Sequence, residues 1–224
     1  MEQGRENLNQ FLAALTREET EKVMRYRFEE DKIRSALGAW MMHRAFAEDY
    51  PAERYEITRN AYGKPCYPPH LLKKKPAYFN LSHAGDLVVL AKADTDLGVD
   101  VEQIRPVDFS RFRTVFSEEE LRRIQQAAAP QEAFFALWTK KEAFVKCIGK
   151  GMTALGEYDE KADAFTYTVH RREGHIITVC SETAEALGGI KVLEPELDLT
   201  QNEIAYAKER GKEIIYHSKA GETE

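Results

Sequence analysis

Five residues in the middle of the chain have the types and spacing to handle phosphate and a hard cation. In LGVDVEQIRP (97–106), Leu97, Val99 and Val101 alternate with Gly98, Asp100 and Glu102. That is the period of a β-strand, so both carboxylates point to one face. A half-buried strand whose polar face meets water has the same pattern. In WTKKEAFVK (138–146), Trp138, Glu142 and Lys146 recur at four-residue steps and share one narrow helix face. Alone, that spacing reads by default as a surface ion pair beside a core tryptophan. Brought together, the strand pair and a helix carboxylate make a cage for Mg²⁺, which takes a few carboxylates and completes its shell with water and phosphate oxygens. The lysine one turn along then meets phosphate charge. NLSH (80–83) puts Asn80 and Ser82 on one strand face and His83 at the strand end. There His83 is either a turn residue or, if neighbouring strands meet, a companion of Asp100 in one cleft.

The elements that must carry these residues follow from period and punctuation. Ile33, Ala36, Leu37, Trp40 and Met41 give a helix over 29–50, and 8–28 is also helical, broken around Thr16. Residues 59–76 hold four prolines and one glycine and form an irregular loop. YFNLS, LVVLAKA and LGVDVE are short strands separated by turns at Gly85–Asp86 and Asp94–Asp96, an expected antiparallel meander. Ser117 and Glu120 form a capping box opening a helix to about Ala128, and Pro130 opens a longer one that stops at Gly149. In that helix Phe134, Leu137, Phe144, Val145 and Ile148 make an apolar stripe, within which Lys141 must snorkel or find a partner. FTYTVHR, HIITVCS, GIKVLE and EIAYAKE are further strand candidates, with a turn at Glu173–Gly174. The order predicts an α+β fold of two similar halves related by a pseudo-twofold, each a small antiparallel sheet with packed helices. The expected division is 1–100, 101–209 and a charged tail over 210–224.

Composition narrows the class. A formal charge of −6 over 224 residues disfavours a general nucleic-acid binder. Cys66, Cys147 and Cys180 form no paired motif, so neither a disulfide framework nor a zinc site is expected, in keeping with a reducing cytoplasm. MEQGRENLNQ has no apolar leader region and no stretch approaches a membrane span. The expectation is a soluble cytoplasmic protein with no nucleic-acid or membrane partner.

In order along the chain, NLSHAG, GVDVEQIRP, FSEEE and LWTKKEAFVKCIGKG resemble the surfactin-synthetase type of phosphopantetheinyl transferase, over roughly residues 22 to 160. The resemblance implies Mg²⁺-dependent transfer of 4′-phosphopantetheine from coenzyme A to a serine of an acyl or peptidyl carrier protein, with release of 3′,5′-adenosine diphosphate. It assigns Asp100, Glu102 and Glu142 as metal ligands, with Asp100 also on the coenzyme side. Glu142, Lys146 and His83 become the catalytic group, and Glu142 is the candidate for taking the serine proton. Lys146, His83 and Ser82 match residues at the coenzyme A phosphates. In AYGKP, Lys64 matches a coenzyme-binding lysine, and the backbone of Tyr62, Gly63, Lys64 and Pro65 would lie along the adenine. Lys22 and Ser35 match positions at the 3′-phosphate. The carrier would dock near the stretch after Gly149, with Lys150 in contact, and two halves in one chain imply a monomer.

The chain departs from the family pattern twice. Glu19 stands where another basic residue is common, and the N-terminus reads as helix where the family commonly opens with a strand. Two other readings compete with transfer. A metal-dependent nuclease normally places its Glu and Lys two apart on a strand, not four apart on a helix. A non-catalytic coenzyme A or carrier-binding module has no need of three carboxylates.

Overall fold

The computed structural model describes residues 2–172, 174–183, 191–193 and 214–219, with side chains over 8–172 and 174–183. Thr16 divides the N-terminal helical stretch because it is a cap. Its hydroxyl accepts from the Glu19 N–H while the Glu19 carboxylate accepts from the Thr16 N–H, so α1 (Glu2–Ala13) ends and α2 (Arg17–Met24) begins. α3 (Glu29–Asp49) buries Ile33, Ala36, Leu37, Met41 and Phe46 against Tyr67, Phe79, Val88 and Leu90. The proline-rich loop holds a two-residue pairing of β1 (Thr58–Arg59) with β2 (Pro65–Cys66), then the single turn α4 (Pro69–Leu72).

β3 (Tyr78–Ala84) and β4 (Leu87–Ala93) form the expected hairpin, turning at Gly85 with φ +57°. The meander stops there. β5 (Leu97–Gln103) does not ladder with β4. It opens a second sheet of order β5-β7-β6, all antiparallel, with β6 (Thr166–Arg172) and β7 (His175–Ser181). The edge of β5 that faces β3 is served by side chains instead: Val99 N–H donates to Asn80 Oδ1 (2.8 Å) and Val101 N–H to Ser82 Oγ (3.4 Å). Buried backbone donors need partners, so Asn80 and Ser82 seam the two sheets together. The first sheet runs β3-β4-β9-β8, with β8 (Lys191–Leu193) parallel to β9 (Ile214–Lys219) and β9 antiparallel to β4. β9 therefore lies inside the stretch read from sequence as a charged tail, and it carries the chain back to the sheet of the first half. The strand candidate EIAYAKE lies outside the described residues.

α5 (Glu118–Gln126) opens on the expected Ser117–Glu120 capping box, and α6 (Pro130–Ile148) ends at Gly149 in the left-handed conformation. α6 lies directly on β5 and β7, and Gly98 sets the spacing. A Cβ built on Gly98 would lie 2.0 Å from the Ala143 carbonyl oxygen and 2.4 Å from the Cys147 nitrogen. Only a glycine permits that approach. The fold is α+β in two halves, as the order of elements predicts. Among the described residues no helix is long and apolar enough to cross a membrane.

Candidate active site

The close packing of α6 on β5 brings the two sequence motifs face to face. Asp100 is only 5% exposed. Its Oδ1 accepts from Lys146 Nζ at 2.6 Å and from the Ser82 hydroxyl at 2.9 Å, while Lys146 also donates to Ser82 Oγ at 2.8 Å. One strand position along the same face, Glu102 Oε1 accepts from the indole N–H of Trp138 at 3.2 Å, and Arg105 Nη1 lies 3.6 Å from Glu102 Oε2. The four-residue stripe of Trp138, Glu142 and Lys146 thus meets the alternate positions Asp100 and Glu102. Lys146 pairs across the interface rather than along its own helix, so the surface-pair reading of Glu142 and Lys146 does not hold. Glu142 itself forms no hydrogen bond or ion pair among the described residues and is half-buried between them.

Crowding of carboxylates sets the electrostatics. Burial, and then the charge of Asp100, push the carboxyl of Glu102 above its ordinary value, with Arg105 opposing. Burial, Asp100 and Glu102 do the same to Glu142, with Lys146 opposing. At both carboxyls burial is the larger cause, and the like charge of the neighbouring carboxylates adds to it. The second oxygen of Asp100, Oδ2, is buried without a hydrogen-bond partner among the described residues. A buried carboxylate oxygen with nothing to accept from, beside two carboxyls that resist ionising, is the donor chemistry a hard divalent cation satisfies. Among the described residues no three His, Cys, Asp or Glu side chains are grouped so as to hold a metal ion, and the Lys146 ammonium lies on Asp100. The chemistry of Asp100, Glu102 and Glu142 suits a hard cation that takes part of its shell from substrate, while their placement here is not a ready-made ligand set.

Cations gather on the β3 side. His83 keeps an exposed edge at the end of β3. Desolvation, then the positive charges of Arg34 and Lys146, lower its pKa. Arg34 was not singled out from sequence. Its Nη1 donates to the Gly85 carbonyl at 2.8 Å and its other nitrogen pairs with Asp31, which ties α3 to the β3–β4 turn beside His83. Nothing in a helical arginine next to Ser35 signals that placement. Ser35 is half-buried on α3, and Lys22 is exposed in the last turn of α2.

Glu19, the acidic departure, is spent internally. Its carboxylate caps α2, accepts from the Tyr55 hydroxyl at 3.1 Å and pairs with His43 Nε2 at 2.8 Å. Burial works against its ionisation, but the His43 and Thr16 contacts outweigh it and hold the carboxyl down at about 2.

The AYGKP loop docks on the far end of α6. Asn60 accepts from the Tyr62 and Lys64 N–H groups through Oδ1 and donates to the Gly149 carbonyl at 2.7 Å. Tyr62 and Gly63 face solvent, Gly63 at φ +89°, and Pro65 begins β2. Lys64 Nζ donates to Asp96 Oδ1 (2.6 Å), the Leu97 carbonyl (3.1 Å) and the Cys147 carbonyl (3.0 Å). All three ammonium protons are engaged, so a phosphate contact would require Lys64 to exchange a partner. Asn60 escaped the sequence reading, although its place before a Y-G turn marks it as a turn organiser. Lys141 found its partner: at 2% exposure its ammonium meets Glu120 at 3.0 Å and Asp159 at 3.4 Å, over the rings of Tyr158 and Phe116.

Known proteins resemble this chain over most of its length. Residues 2–95 match the model of the 4′-phosphopantetheinyl transferase N-terminal domain, and residues 96–186 that of the 4′-phosphopantetheinyl transferase superfamily. The chain is 36% identical over 155 residues to the 4′-phosphopantetheinyl transferase psf-1 of Bacillus pumilus, spanning 67% of this chain and 64% of that protein. It is 28% identical over 172 residues to Sfp of Bacillus subtilis (75% and 72% covered), and 31% over 150 residues to AcpT of Escherichia coli K12 (64% and 75%). The boundary between the two family models falls between β4 and β5, where the sheets change and the side-chain seam replaces the ladder. The chain belongs to the 4′-phosphopantetheinyl transferase superfamily and is a transferase of the Sfp type.

Proposed function

We propose that this transferase moves 4′-phosphopantetheine from coenzyme A to a serine of an acyl or peptidyl carrier protein, releasing 3′,5′-adenosine diphosphate and using Mg²⁺. One observation carries the reading: Asp100 and Glu102 from β5 and Glu142 from α6 converge beside Lys146, Ser82 and His83. Asp100, Glu102 and Glu142 would hold Mg²⁺, which when bound supplies charge neutralisation to the pyrophosphate. Lys146 and His83 donate charge-assisted hydrogen bonds to phosphate oxygens. The Ser82 hydroxyl and the Asn80 amide oxygen hold β5 in register with β3, so the carboxylates and His83 share one rigid frame.

The carrier serine oxygen attacks the phosphorus that bears pantetheine. The bond from that phosphorus to the bridging oxygen breaks, and the adenosine diphosphate leaves with the electron pair. Glu142 takes the serine proton. It is the carboxylate with no hydrogen bond or ion pair among the described residues, so its lone pairs are available. Both sides of the site come from one chain, which supports a monomer.

The test is to incubate the protein with coenzyme A, Mg²⁺ and several apo carrier proteins and weigh the carriers. The expected result is a mass gain equal to phosphopantetheine. No gain on any carrier would overturn the reading, in favour of a nuclease if DNA is cut and of a binding module if coenzyme A binds without transfer.

A further inference from the structure

We infer that Trp138 is a positioning residue for metal binding, acting through its indole N–H on the Glu102 carboxylate; this rests on the metal reading above. Trp138 sits four residues before Glu142 and eight before Lys146 on the face of α6 that meets β5. A tryptophan there was expected to be core, and its ring does pack with aromatic neighbours: parallel to Phe134 at 6.5 Å between centroids, edge-on to Phe112 at 5.6 Å and to Phe116 at 6.2 Å. Packing alone does not require the nitrogen. The nitrogen nonetheless points at the strand and donates to Glu102 Oε1 at 3.2 Å.

That bond has a specific consequence. Glu102 has rotatable side-chain bonds, and its carboxylate stands on the same strand face as the like charge of Asp100. Without a fixed donor its carboxylate gains by turning away from Asp100 towards solvent. The aromatic cluster holds the indole rigidly, and the indole holds one carboxylate oxygen, leaving the other directed by its geometry. Trp138 and Arg105 approach different oxygens of Glu102, but they are not equivalent. The Arg105 contact is 3.6 Å, outside hydrogen-bond range, and its side chain is 60% exposed. Arg105 therefore contributes field and Trp138 contributes orientation.

The experiment is a Mn²⁺ titration followed by electron paramagnetic resonance, without coenzyme A or carrier, on the intact chain and on Trp138→Phe, Arg105→Ala and Asp100→Asn. Phenylalanine keeps an aromatic ring in the cluster and removes the donor. Loss of a partner that orients a ligand costs about 10–100-fold in metal affinity, so Trp138→Phe should weaken Mn²⁺ by that factor while its melting temperature stays close to that of the parent. Arg105→Ala should change affinity by less than about fivefold, as for an exposed pair. Should Trp138→Phe fail to fold, 3-benzothienylalanine at position 138 keeps the bicyclic shape and replaces the N–H with sulfur, and the same weakening is expected. Mn²⁺ affinity unchanged in the variant that folds would overturn the role of Trp138 while leaving the metal site standing. Mn²⁺ binding that Asp100→Asn does not weaken would overturn the metal reading itself, and this inference with it.

Discussion

Gly98→Ala is the most demanding test of the geometry, because two opposite outcomes have different causes. Gly98 lies in β5 without a left-handed backbone, so alanine is conformationally allowed. If nothing obstructed the methyl group, the substitution would stabilise the protein by about 0.4–1 kcal/mol through the unfolded chain. The structure predicts the reverse. The added Cβ would stand 2.0 Å from the Ala143 carbonyl oxygen, against an ordinary contact of 3.4 Å, and the obstructing atoms are helix backbone rather than a flexible side-chain tip. α6 must therefore lift from β5 by roughly 1 Å or more. Overpacking of this kind costs about 1–3 kcal/mol. At roughly 2–4 °C per kcal/mol for a chain of this size, the melting temperature should fall by about 2–12 °C. Glu142 and Lys146 flank the two obstructed residues, so the 2.6 Å contact of Lys146 with Asp100 is lost as well. A displacement of about 1 Å at a reacting centre can cost 10²-fold in rate. Thermal unfolding and the carrier mass assay read the two effects. Gly156→Ala, where a Cβ meets nothing within 4 Å, is the control for stability and should keep the parent's melting temperature. A Gly98→Ala protein as stable and as active as the parent would refute the packing of α6 on β5 as the device that assembles the site.

Other expectations concern single groups. Glu142→Gln should regain coenzyme A binding at saturating Mg²⁺ or Mn²⁺ but keep a deficit of about 10²–10⁴ in turnover, as for loss of a general base; full rescue by metal would reduce Glu142 to a ligand. His83→Ala should raise KM for coenzyme A by roughly 10–100-fold, the value of a charge-assisted bond of about 1.5–3 kcal/mol, and leave KM for the carrier nearly unchanged. Lys64→Met should lower the melting temperature, because it strips the Leu97 and Cys147 carbonyls of a donor, at about 1–3 kcal/mol for buried groups left unpaired, the exposed Asp96 adding little; an unchanged melting temperature argues against these contacts. Glu19 gives a pH signature. Its folded pKa, about 2, lies below the ordinary 4.5, so its contribution is complete above 4.5 and is lost as pH falls from there towards 2. Glu19→Gln should flatten that part of the acid-unfolding curve, measured as melting temperature against pH.

How much of this was legible beforehand differs from residue to residue. Periodicity placed Asp100 with Glu102, and Trp138 with Glu142 and Lys146, because a strand and a helix present side chains at fixed steps regardless of what surrounds them. Two helix ends were equally plain, since Ser117 with Glu120 and Gly149 are local events decided within a few residues, whereas at Thr16 only the break was legible and not its pairing with Glu19. The α+β class and its two halves followed from the order of elements. Partners distant in sequence did not follow. Glu19 reads as a misplaced charge until His43 and Tyr55 are brought to it, and Lys64 as a free cation until Asp96 and the carbonyls of Leu97 and Cys147 surround it. The expected meander failed at β5 because strand pairing is settled by which edge donors find partners, and Asn80 and Ser82 supply them from the side. The stretch expected as a tail holds β9, since a sheet edge can recruit a strand from any distance along the chain. Chemistry-bearing residue types and their local spacing belong to the sequence. Which charges meet, and which are already spent on structure, depends on contacts such as that of Gly98 with Ala143, 45 positions apart, which only folding in three dimensions brings about.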